Sequence, residues 1–218
     1  MEKRYILWDL DGTLWRHKEN EAKLITENLG IKFSKEFEKD FFYMASIIND
    51  FFEKKILTKK EVVKIIERTI PSLFFYNISG KKFLDIWNAT DTAILEEFAK
   101  EVLEATMENG KKNIILTDWL LDRQLNLLKK FGILKYIERV YSSENYYTKR
   151  NPRAVSRIIK KGEESSYIII GDSLANDIQF AKNANISSIW YNPNKKENTT
   201  KIIPDYEIND LREVLGIL

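Results

Sequence analysis

A short apolar segment near the N-terminus passes directly into two aspartates, in the sequence Tyr5-Ile6-Leu7-Trp8-Asp9-Leu10-Asp11-Gly12-Thr13. Apolar runs of this length suit a strand that is covered on both faces, as in a parallel sheet. In an open sheet of parallel strands, ligands bind beyond the carboxyl ends of the strands. The two aspartates therefore follow the predicted strand at the position where a functional site is expected.

Four more segments of the same kind follow along the chain, at residues 113–116, 138–141, 167–170 and 188–191. Between them, apolar residues recur at helical spacing over residues 122–131, 152–161 and 174–185. This regular alternation of strand and helix predicts an α/β fold whose core is a doubly wound, Rossmann-like parallel sheet.

Residues 15–90 do not follow this alternation. Apolar residues at helical spacing from Phe37 to Phe52 predict one amphipathic helix, and a capping box at Thr58 and Glu61 predicts the start of another. A further short helix is expected around Trp87. We therefore expect residues 1–14 and 91–218 to form the core, with residues 15–90 inserted as a small all-helical cap domain.

The segment that follows the predicted cap carries another helical pattern. Apolar residues between Leu95 and Leu103 recur at a spacing of three to four residues. Asp91 precedes this pattern as a candidate N-cap, and Gly110 follows it as a stop signal. The sequence therefore predicts one long helix that starts after Asp91.

The cysteine and histidine content limits the possible chemistry. The chain of 218 residues has no cysteine and a single histidine, His17. A disulfide scaffold, a thiolate nucleophile, cysteine-ligated zinc and iron–sulfur clusters are therefore excluded. One histidine also excludes a histidine-cluster metal site and argues against a Ser-His-Asp triad. Catalysis has to depend on carboxylates, hydroxyls, lysines and a hard metal ion.

Charge and hydropathy indicate where the protein acts. The 35 basic and 33 acidic residues give a net charge of +2, which is too even to indicate a nucleic-acid partner. The first residues are not those of a signal peptide, and no apolar stretch approaches the ~18 residues of a membrane-spanning helix. We expect a cytoplasmic protein with neither a nucleic-acid nor a membrane partner.

Polar residues follow the predicted strands and converge on one edge of the sheet: Asp9, Asp11, Thr117, Asp118, Lys149, Asp172 and Asp177. Each residue type has a use if the substrate is a phosphate ester. Asp9 and Asp172 are hard oxygen ligands that suit Mg²⁺. The Thr117 hydroxyl and the amide of Asp118 are placed to hold a phosphoryl oxygen, and Lys149 offsets its charge. Asp11 is a candidate general acid, and Gly12 allows a sharp turn after the strand.

These segments resemble, in the same order, the four motifs of the haloacid dehalogenase-like (HAD) hydrolase superfamily. The motif sequences are Asp-Leu-Asp-Gly-Thr, Ile-Leu-Thr-Asp, a later lysine and Gly-Asp-Ser-Leu-Ala-Asn-Asp. The resemblance covers the whole chain, including a helical cap between the first and second motifs.

The resemblance implies a role for each motif residue. It implies that Asp9 is the nucleophile that becomes an aspartyl-phosphate, and that Asp11 is the acid/base whose backbone carbonyl also binds Mg²⁺. Asp172 resembles the third metal ligand, and Asp177 the supporting acid that orients the lysine or a metal-bound water. Thr117 and Lys149 match the phosphate binders. One departure concerns the lysine, which the family usually follows directly with proline. Here the run is Lys149-Arg150-Asn151-Pro152, so Arg150 or Arg153 is a candidate to share its role.

The expected function is a Mg²⁺-dependent phosphatase that hydrolyses a small phosphorylated metabolite. Four alternatives stay open: a phosphomutase, a phosphonatase that uses a cap lysine, a 2-haloacid dehalogenase, and a non-catalytic binding module on an inactive core. Asp11 and Asp172 argue against the dehalogenase, which needs neither a leaving-group acid nor a metal. The intact set of acidic residues argues against the inactive core. The sequence leaves open which ester is the substrate and what the oligomeric state is.

Overall fold

A computed structural model describes residues 3–17, 20–54, 56–90 and 92–218. In chain order the strands are β1 (Tyr5–Trp8), β2 (Trp15–His17), β3 (Ala93–Leu95), β4 (Lys112–Thr117), β5 (Ile137–Ser142), β6 (Tyr167–Gly171), β7 (Ser187–Tyr191) and β8 (Tyr206–Ile208). The helices are α1 (Glu21–Leu29), α2 (Lys35–Lys54), α3 (Lys59–Thr69), α4 (Ser72–Phe75), α5 (Gly80–Ala89), α6 (Ala99–Glu108), α7 (Leu121–Lys130), α8 (Ser143–Tyr146), α9 (Pro152–Ile158), α10 (Gln179–Ala184) and α11 (Val214–Ile217). No described helix is both long enough and apolar enough to cross a membrane.

Six parallel strands form the central sheet in the order β5-β4-β1-β6-β7-β8. The register pairs Trp8 of β1 with Ile115 of β4 on one side and with Ile170 of β6 on the other. The residue that follows β1 therefore lies between the carboxyl ends of β4 and β6. The predicted doubly wound, Rossmann-like α/β core is confirmed.

The two faces of this sheet are covered by separate hydrophobic clusters. Ile6 and Trp8 of β1 belong to one cluster, and Leu7 between them belongs to the other. Successive side chains of a strand point to opposite faces, so burial on both faces requires an uninterrupted apolar run. For this reason the strands of the core could be predicted from the sequence.

Helices α1 to α5 together form what we call the helical insertion (residues 20–90). They enclose a third hydrophobic cluster. The buried face of α2 contributes Phe37, Phe41, Met44, Ile48 and Phe52. The predicted capping box is confirmed at the start of α3, where the Thr58 hydroxyl accepts from the backbone amide of Glu61, and the Glu61 carboxylate accepts from that of Thr58. Two residues from outside the insertion join this cluster: Leu120 is buried in it, and Trp119 packs against it.

The prediction of a long helix after Asp91 is wrong. Ala93–Leu95 instead forms strand β3, which pairs antiparallel with β2 as a two-stranded ribbon, and α6 begins only at Ala99. Phe98 adopts a left-handed conformation (φ 63°) between the ribbon and the helix. The apolar spacing appeared helical because β3 and α6 both bury residues into the same cluster. The partner strand β2, which was not predicted, decided the local structure. Asp91 itself lies outside the described residues.

The helix predicted from Leu174 begins differently from the expectation. Residues Leu174–Ile178 form a wide π-helical turn, and α10 follows it. The backbone amide of Ile178 bonds to the carbonyl of Ser173, five residues back. Single π turns of this kind frequently mark functional sites. Here the turn brings the carboxylate of Asp177 back to the end of β6, where the backbone amide of Ser173 donates to it at 3.0 Å.

Candidate active site

Three buried charged groups meet at the carboxyl ends of β1 and β6. The Lys149 ammonium donates to Asp9 Oδ1 at 2.5 Å and to Asp177 Oδ1 at 2.6 Å. The other carboxylate oxygen of Asp9 accepts from the Thr13 hydroxyl at 3.1 Å. Asp172 follows β6 next to this group, and one carboxylate oxygen each of Asp9, Asp172 and Asp177 all lie within 4.8 Å of one another. We call these four residues (Asp9, Asp172, Asp177 and Lys149) the Asp9 cluster.

Two glycines make room for the carboxylates of the Asp9 cluster. Gly12 has φ +98°, and a Cβ atom built there would lie 2.5 Å from Asp172 Oδ2. A Cβ atom on Gly171 would lie 2.1 Å from the carboxylate carbon of Asp177. Any side chain at either position would displace an acidic group, so the motif glycines are required by close approach as well as by the turn.

The pKa values in the Asp9 cluster show an excess of negative charge. Burial raises the pKa of Asp9 well above its ordinary value, and the neighbouring Asp177 and Asp172 raise it further, against the opposing effect of Lys149. Burial, followed by the charge of Asp177, raises the pKa of Asp172 to about 6. Burial alone would lower the pKa of Lys149, but Asp177 and Asp9 outweigh it and raise that pKa well above the usual value. Lys149 is therefore a permanent cation.

This charge balance fits a divalent cation. With Asp9, Asp172 and Asp177 ionised, the single ammonium of Lys149 leaves two negative charges in the cluster uncompensated. Asp177 is already bound by Lys149 and by the amide of Ser173. Asp9 is bound in a similar way, by Lys149 and by the hydroxyl of Thr13, so these contacts do not choose among the three carboxylates. Hard oxygen donors of this kind suit Mg²⁺, and Asp9 and Asp172 are the ligands that the sequence motifs predict.

The carboxylate of Asp11 lies apart from the Asp9 cluster and is held by three other side chains. Oδ1 accepts from the Trp15 indole at 2.8 Å and is 2.9 Å from His17 Nε2, and Oδ2 accepts from the Gln124 amide at 2.8 Å. We call Trp15, His17 and Gln124 the Asp11 shell. The partial loss of solvent at the cavity alone would raise the pKa of Asp11, but the hydrogen bonds from His17 and Trp15 outweigh it and lower that pKa below its ordinary value. Because these three side chains engage both carboxylate oxygens of Asp11, the metal-binding role implied for this residue rests on its backbone carbonyl.

Gln124 connects the first motif to the second. Its amide nitrogen also donates to Thr117 Oγ1, at 3.1 Å, and the residue is fully buried. Because that hydroxyl oxygen accepts from Gln124, the hydroxyl proton of Thr117 is left to donate elsewhere. Sequence reasoning missed Gln124, since a glutamine in the first turns of a helix carries no signal of its own. It also missed the role of His17, whose contact with Asp11 depends on the unpredicted ribbon.

The contacts around Lys149 show whether Arg150 or Arg153 shares its position in the site. The backbone amide of Lys149 donates to Asp118 Oδ1 at 2.8 Å, which links the second and third motifs. The guanidinium of Arg150 pairs with Glu53 of the helical insertion, and that of Arg153 lies 6.0 Å from the Tyr147 ring centre. Of these three cations, Lys149 is therefore the one that reaches Asp9.

A cavity of ≈ 330 Å³ opens between these groups and the helical insertion. Asp9, Asp11, Thr117, Lys149 and Asp172 line its core side. The opposite wall is aromatic, with Phe41, Phe42, Trp87 and Trp119, and the rings of Trp87 and Trp119 lie 4.6 Å apart. Arg123 also lines the cavity, where it forms an ion pair with Glu21.

The fold and the side chains at the carboxyl ends of its strands define the class of protein. The chain belongs to the haloacid dehalogenase-like hydrolases, whose family model matches residues 6–191. The membership that the four motifs indicated is thereby confirmed.

Among individual relatives, this chain is similar to the pyrimidine 5′-nucleotidase PynA of Streptococcus pneumoniae, with 27% identity over 227 residues that cover 99% of this chain and 94% of the relative. The crystal structure of the putative HAD-hydrolase YfnB from Bacillus subtilis, bound to magnesium, superposes with a TM-score of 0.74 at 24% identity and covers 100% of this chain and 99% of that one. A 2-haloacid dehalogenase from Pseudomonas syringae superposes with a TM-score of 0.76 at 16% identity, covering 99% of this chain and 97% of that one. At such low identity the structural matches show the shared fold alone.

Proposed function

We propose that this protein is a Mg²⁺-dependent phosphatase that hydrolyses a small phosphomonoester through an aspartyl-phosphate on Asp9. The observation that carries the proposal is the Asp9 cluster, where a buried carboxylate is bound by a permanently charged lysine at 2.5 Å beside a second carboxylate, Asp172. A phosphate ester as substrate is supported by the name of the relative PynA, a nucleotidase. Mg²⁺ is supported by the donor set and by the magnesium in the YfnB structure.

In the first step, a carboxylate oxygen of Asp9 attacks the phosphorus atom. A bond forms between that oxygen and phosphorus, and the bond from phosphorus to the ester oxygen breaks. Lys149 and the hydroxyl proton of Thr117 stabilise the charge on the phosphoryl oxygens. Mg²⁺, held by Asp9, Asp172 and the carbonyl of Asp11, would reduce the repulsion between the two anions. Asp11 gives a proton to the departing oxygen, which leaves as an alcohol.

In the second step, a water molecule attacks the phosphorus of the aspartyl-phosphate. Asp11 accepts a proton from that water, the bond between phosphorus and Asp9 breaks, and phosphate is released. The lowered pKa of Asp11 suits this base role. The acid role in the first step requires the carboxyl group to be protonated, which the hydrogen bonds of His17 and Trp15 oppose. We infer that Asp11 leaves this pair of donors when it acts as the acid.

The cap is proposed to be residues 15–90, which include the helical insertion, with the core formed by residues 1–14 and 91–218. Within that cap, Trp15–His17 form strand β2, so the cap is not all-helical. Its aromatic wall closes the side of the cavity opposite the Asp9 cluster. A cap in this position excludes bulk water and admits only a small substrate. The selective contacts would then come from the cap.

Assays with and without metal test the function directly. Phosphate release from a panel of phosphorylated metabolites is measured with Mg²⁺, in excess EDTA, and after Mg²⁺ is added back. We expect chelation to abolish the release and Mg²⁺ to restore it. Full turnover in EDTA would contradict the proposal and return the dehalogenase as the better candidate.

A further inference from the structure

Two residues separate Lys149 from Pro152, and both of them contact the helical insertion. The Arg150 guanidinium pairs with the Glu53 carboxylate at 2.6 Å, and the side-chain amide of Asn151 donates to the backbone carbonyl of Glu53 at 2.8 Å. We call this pair of contacts the α2 clamp, since Glu53 lies in the last turn of α2. The departure from the usual lysine–proline sequence therefore coincides with a contact between the core and the helical insertion.

The α2 clamp is part of one tight turn that also carries Lys149. The backbone amide of Asn151 donates to the carbonyl of Thr148 at 3.0 Å, so Lys149 and Arg150 are the two central residues of a four-residue turn. From this turn the Lys149 ammonium reaches the Asp9 cluster, while the Arg150 guanidinium reaches α2. The turn thus joins the predicted phosphate binder directly to the helical insertion.

Asn151 is the more firmly held of the two clamp residues. It is 9% exposed, and both ends of its side chain have partners. The oxygen accepts from the backbone amide of Arg153 as the N-cap of α9, and the nitrogen donates to Glu53. The last turn of a helix leaves its carbonyls without internal partners, so this bond satisfies one of them. The Arg150 pair is half exposed (49%) and contributes less, because water screens it.

Helix α2 also forms part of the cavity wall. Phe42, Ala45 and Asn49 line the cavity at helical spacing, and Glu53 follows Asn49 by four residues. Residues at this spacing share one face of a helix. Lys149 lines the core side of the same cavity. The α2 clamp therefore fixes the distance between the phosphate end of the cavity and the wall that α2 provides.

We propose that Arg150 and Asn151 are positioning residues that determine specificity, because they hold α2 against the core and so limit the size of the leaving group. Lys149 keeps its own contacts in the core, with the Asp9 cluster and with Asp118. Loss of the α2 clamp should accordingly move the wall and leave the contact with the phosphoryl group intact. The size limit rests on the proposed phosphatase function, whereas the α2 clamp itself does not.

A distance measurement tests the α2 clamp without any substrate. The chain has no cysteine, so spin labels attach only to introduced ones. Tyr43→Cys places a label on α2 and Lys129→Cys places one on α7 of the core, both at exposed positions. Pulsed EPR on the full chain should give one narrow distance distribution. Asn151→Asp should broaden and shift it, because the change sets an acceptor against the Glu53 carbonyl while it keeps a good N-cap for α9.

A second variant and a matched control accompany this measurement. Arg150→Gln should broaden the distribution less than Asn151→Asp, because an exposed ion pair contributes little. Arg157→Gln is the control, since the Arg157 guanidinium donates to the carbonyl of Asn145 within the core, and its distribution should match that of the parent. Identical distributions in the parent and in Asn151→Asp would overturn the α2 clamp, as would an equal broadening in the control.

Two aryl esters of similar leaving-group acidity but different size test the size limit. The ratio of kcat/KM for phenyl phosphate to that for 2-naphthyl phosphate is measured with Mg²⁺. It should fall about 10-fold in Asn151→Asp and about 2-fold in Arg150→Gln, with kcat for phenyl phosphate unchanged.

The possible failures of this proposal and of the phosphatase are distinguishable. An unchanged ratio in a variant whose label distance has shifted would overturn the size limit. An equal loss of kcat for both esters would also overturn it and would assign the turn to the support of Lys149. If the parent turns over no ester, the phosphatase is contradicted, while the label distances still decide whether the α2 clamp exists.

Discussion

Asp9 and Asp11 both line the core side of one cavity, yet the groups that hold them are built in opposite ways. In the Asp9 cluster, Asp9, Lys149 and Asp177 are buried and Asp172 is half-buried, and all four come from segments that follow strands of the parallel sheet. Asp11 is partly exposed, with 41% of its side chain accessible, and its partners come from the ribbon and from α7. The proposed nucleophile is therefore positioned by the parallel sheet of the core, and the proposed acid/base by elements at the boundary with the helical insertion.

The nucleophilic attack and the proton transfer of the proposed reaction therefore depend on different parts of the molecule. His17 lies on β2 and also contacts the hydroxyl of Thr92, the residue just before β3, at 2.5 Å. A change in the ribbon is transmitted to Asp11 through two hydrogen bonds, while the contacts of Asp9 are untouched. Substitutions at the two residues should accordingly impair different functions, nucleophilic attack at Asp9 and proton transfer at Asp11.

The largest effect is expected at Asp9. Asp9→Asn keeps the shape of the side chain but removes the nucleophile, so turnover should fall by at least ~10⁴-fold. Phosphate release and thermal unfolding are measured on the same protein. Beryllium fluoride, which mimics a phosphoryl group, should form an adduct with the parent and not with the variant. Near-normal turnover by the variant would contradict covalent catalysis at this position.

The next largest effect is expected at Asp11, and it should depend on the leaving group. Asp11→Asn keeps the backbone carbonyl but removes proton transfer, a loss of ~10²–10⁴-fold. An alkyl phosphate needs the proton more than p-nitrophenyl phosphate does, because nitrophenolate is a stable anion. Rapid-quench measurement should show slow formation of the aspartyl-phosphate from the alkyl ester only. Equal losses for both esters would mean that Asp11 serves structure or metal binding.

A smaller effect is expected at Gln124, which connects the Asp11 shell to Thr117. Gln124→Met removes both hydrogen bonds at similar volume and should lower kcat about 10-fold. Thermal stability should change little, because the amide oxygen of Gln124 is buried without a hydrogen-bond partner in the described chain. The control is Gln179→Met, where the amide bonds only to Asn183, on the same helix. An unchanged kcat in Gln124→Met would show that Thr117 and Asp11 need no such link.

The smallest effect concerns metal affinity and pH. The metal-free protein has the pKa of Asp172 raised to about 6, and only the ionised carboxylate binds a cation. Affinity for Mg²⁺ should therefore fall as the pH drops through this value, by at least about 4-fold between roughly pH 7.5 and 5.5, because the raised pKa of Asp9 can only add to the effect. Calorimetric titration at the two pH values checks this. The Asp172→Asn variant should bind Mg²⁺ weakly and should lack the fall in affinity that centres on the pKa of Asp172, about 6. An equally large fall in the variant would assign the proton to another group.

The same contrast explains what the sequence could predict. The strands of the core, Asp9 and Asp172 were predictable, because burial on both faces forces apolar runs and the carboxyl ends of parallel strands meet at one edge. The ribbon was not predictable, because β2 and β3 are three residues each and pair across 76 to 80 positions of the chain, from His17 with Ala93 to Trp15 with Leu95. The Asp11 shell depends on that pairing, so its members carried no local signal.

The prediction of an ordinary helix from Leu174 was wrong at its start for a similar reason, because the first turn, which contains Asp177, is π-helical. Residues 174–185 have the apolar spacing of an ordinary helix, and nothing in the sequence indicates a π-helical first turn. The turn follows from the demand that Asp177 reach both Lys149 and the amide of Ser173. Interactions distant in the sequence thus decided the geometry.

The packing of Trp119 and Leu120 into the helical insertion has a consequence for protein engineering. These residues directly follow Thr117 and Asp118, yet they belong to the hydrophobic cluster of helices that end 30 positions earlier, at Ala89. A chimera that received only residues 20–90 from a relative would place a foreign surface against two native side chains, one of them fully buried. Recombination between homologues should therefore preserve function best when the donor also supplies positions 119 and 120, so that the breakpoints follow contacts and not the order of the chain.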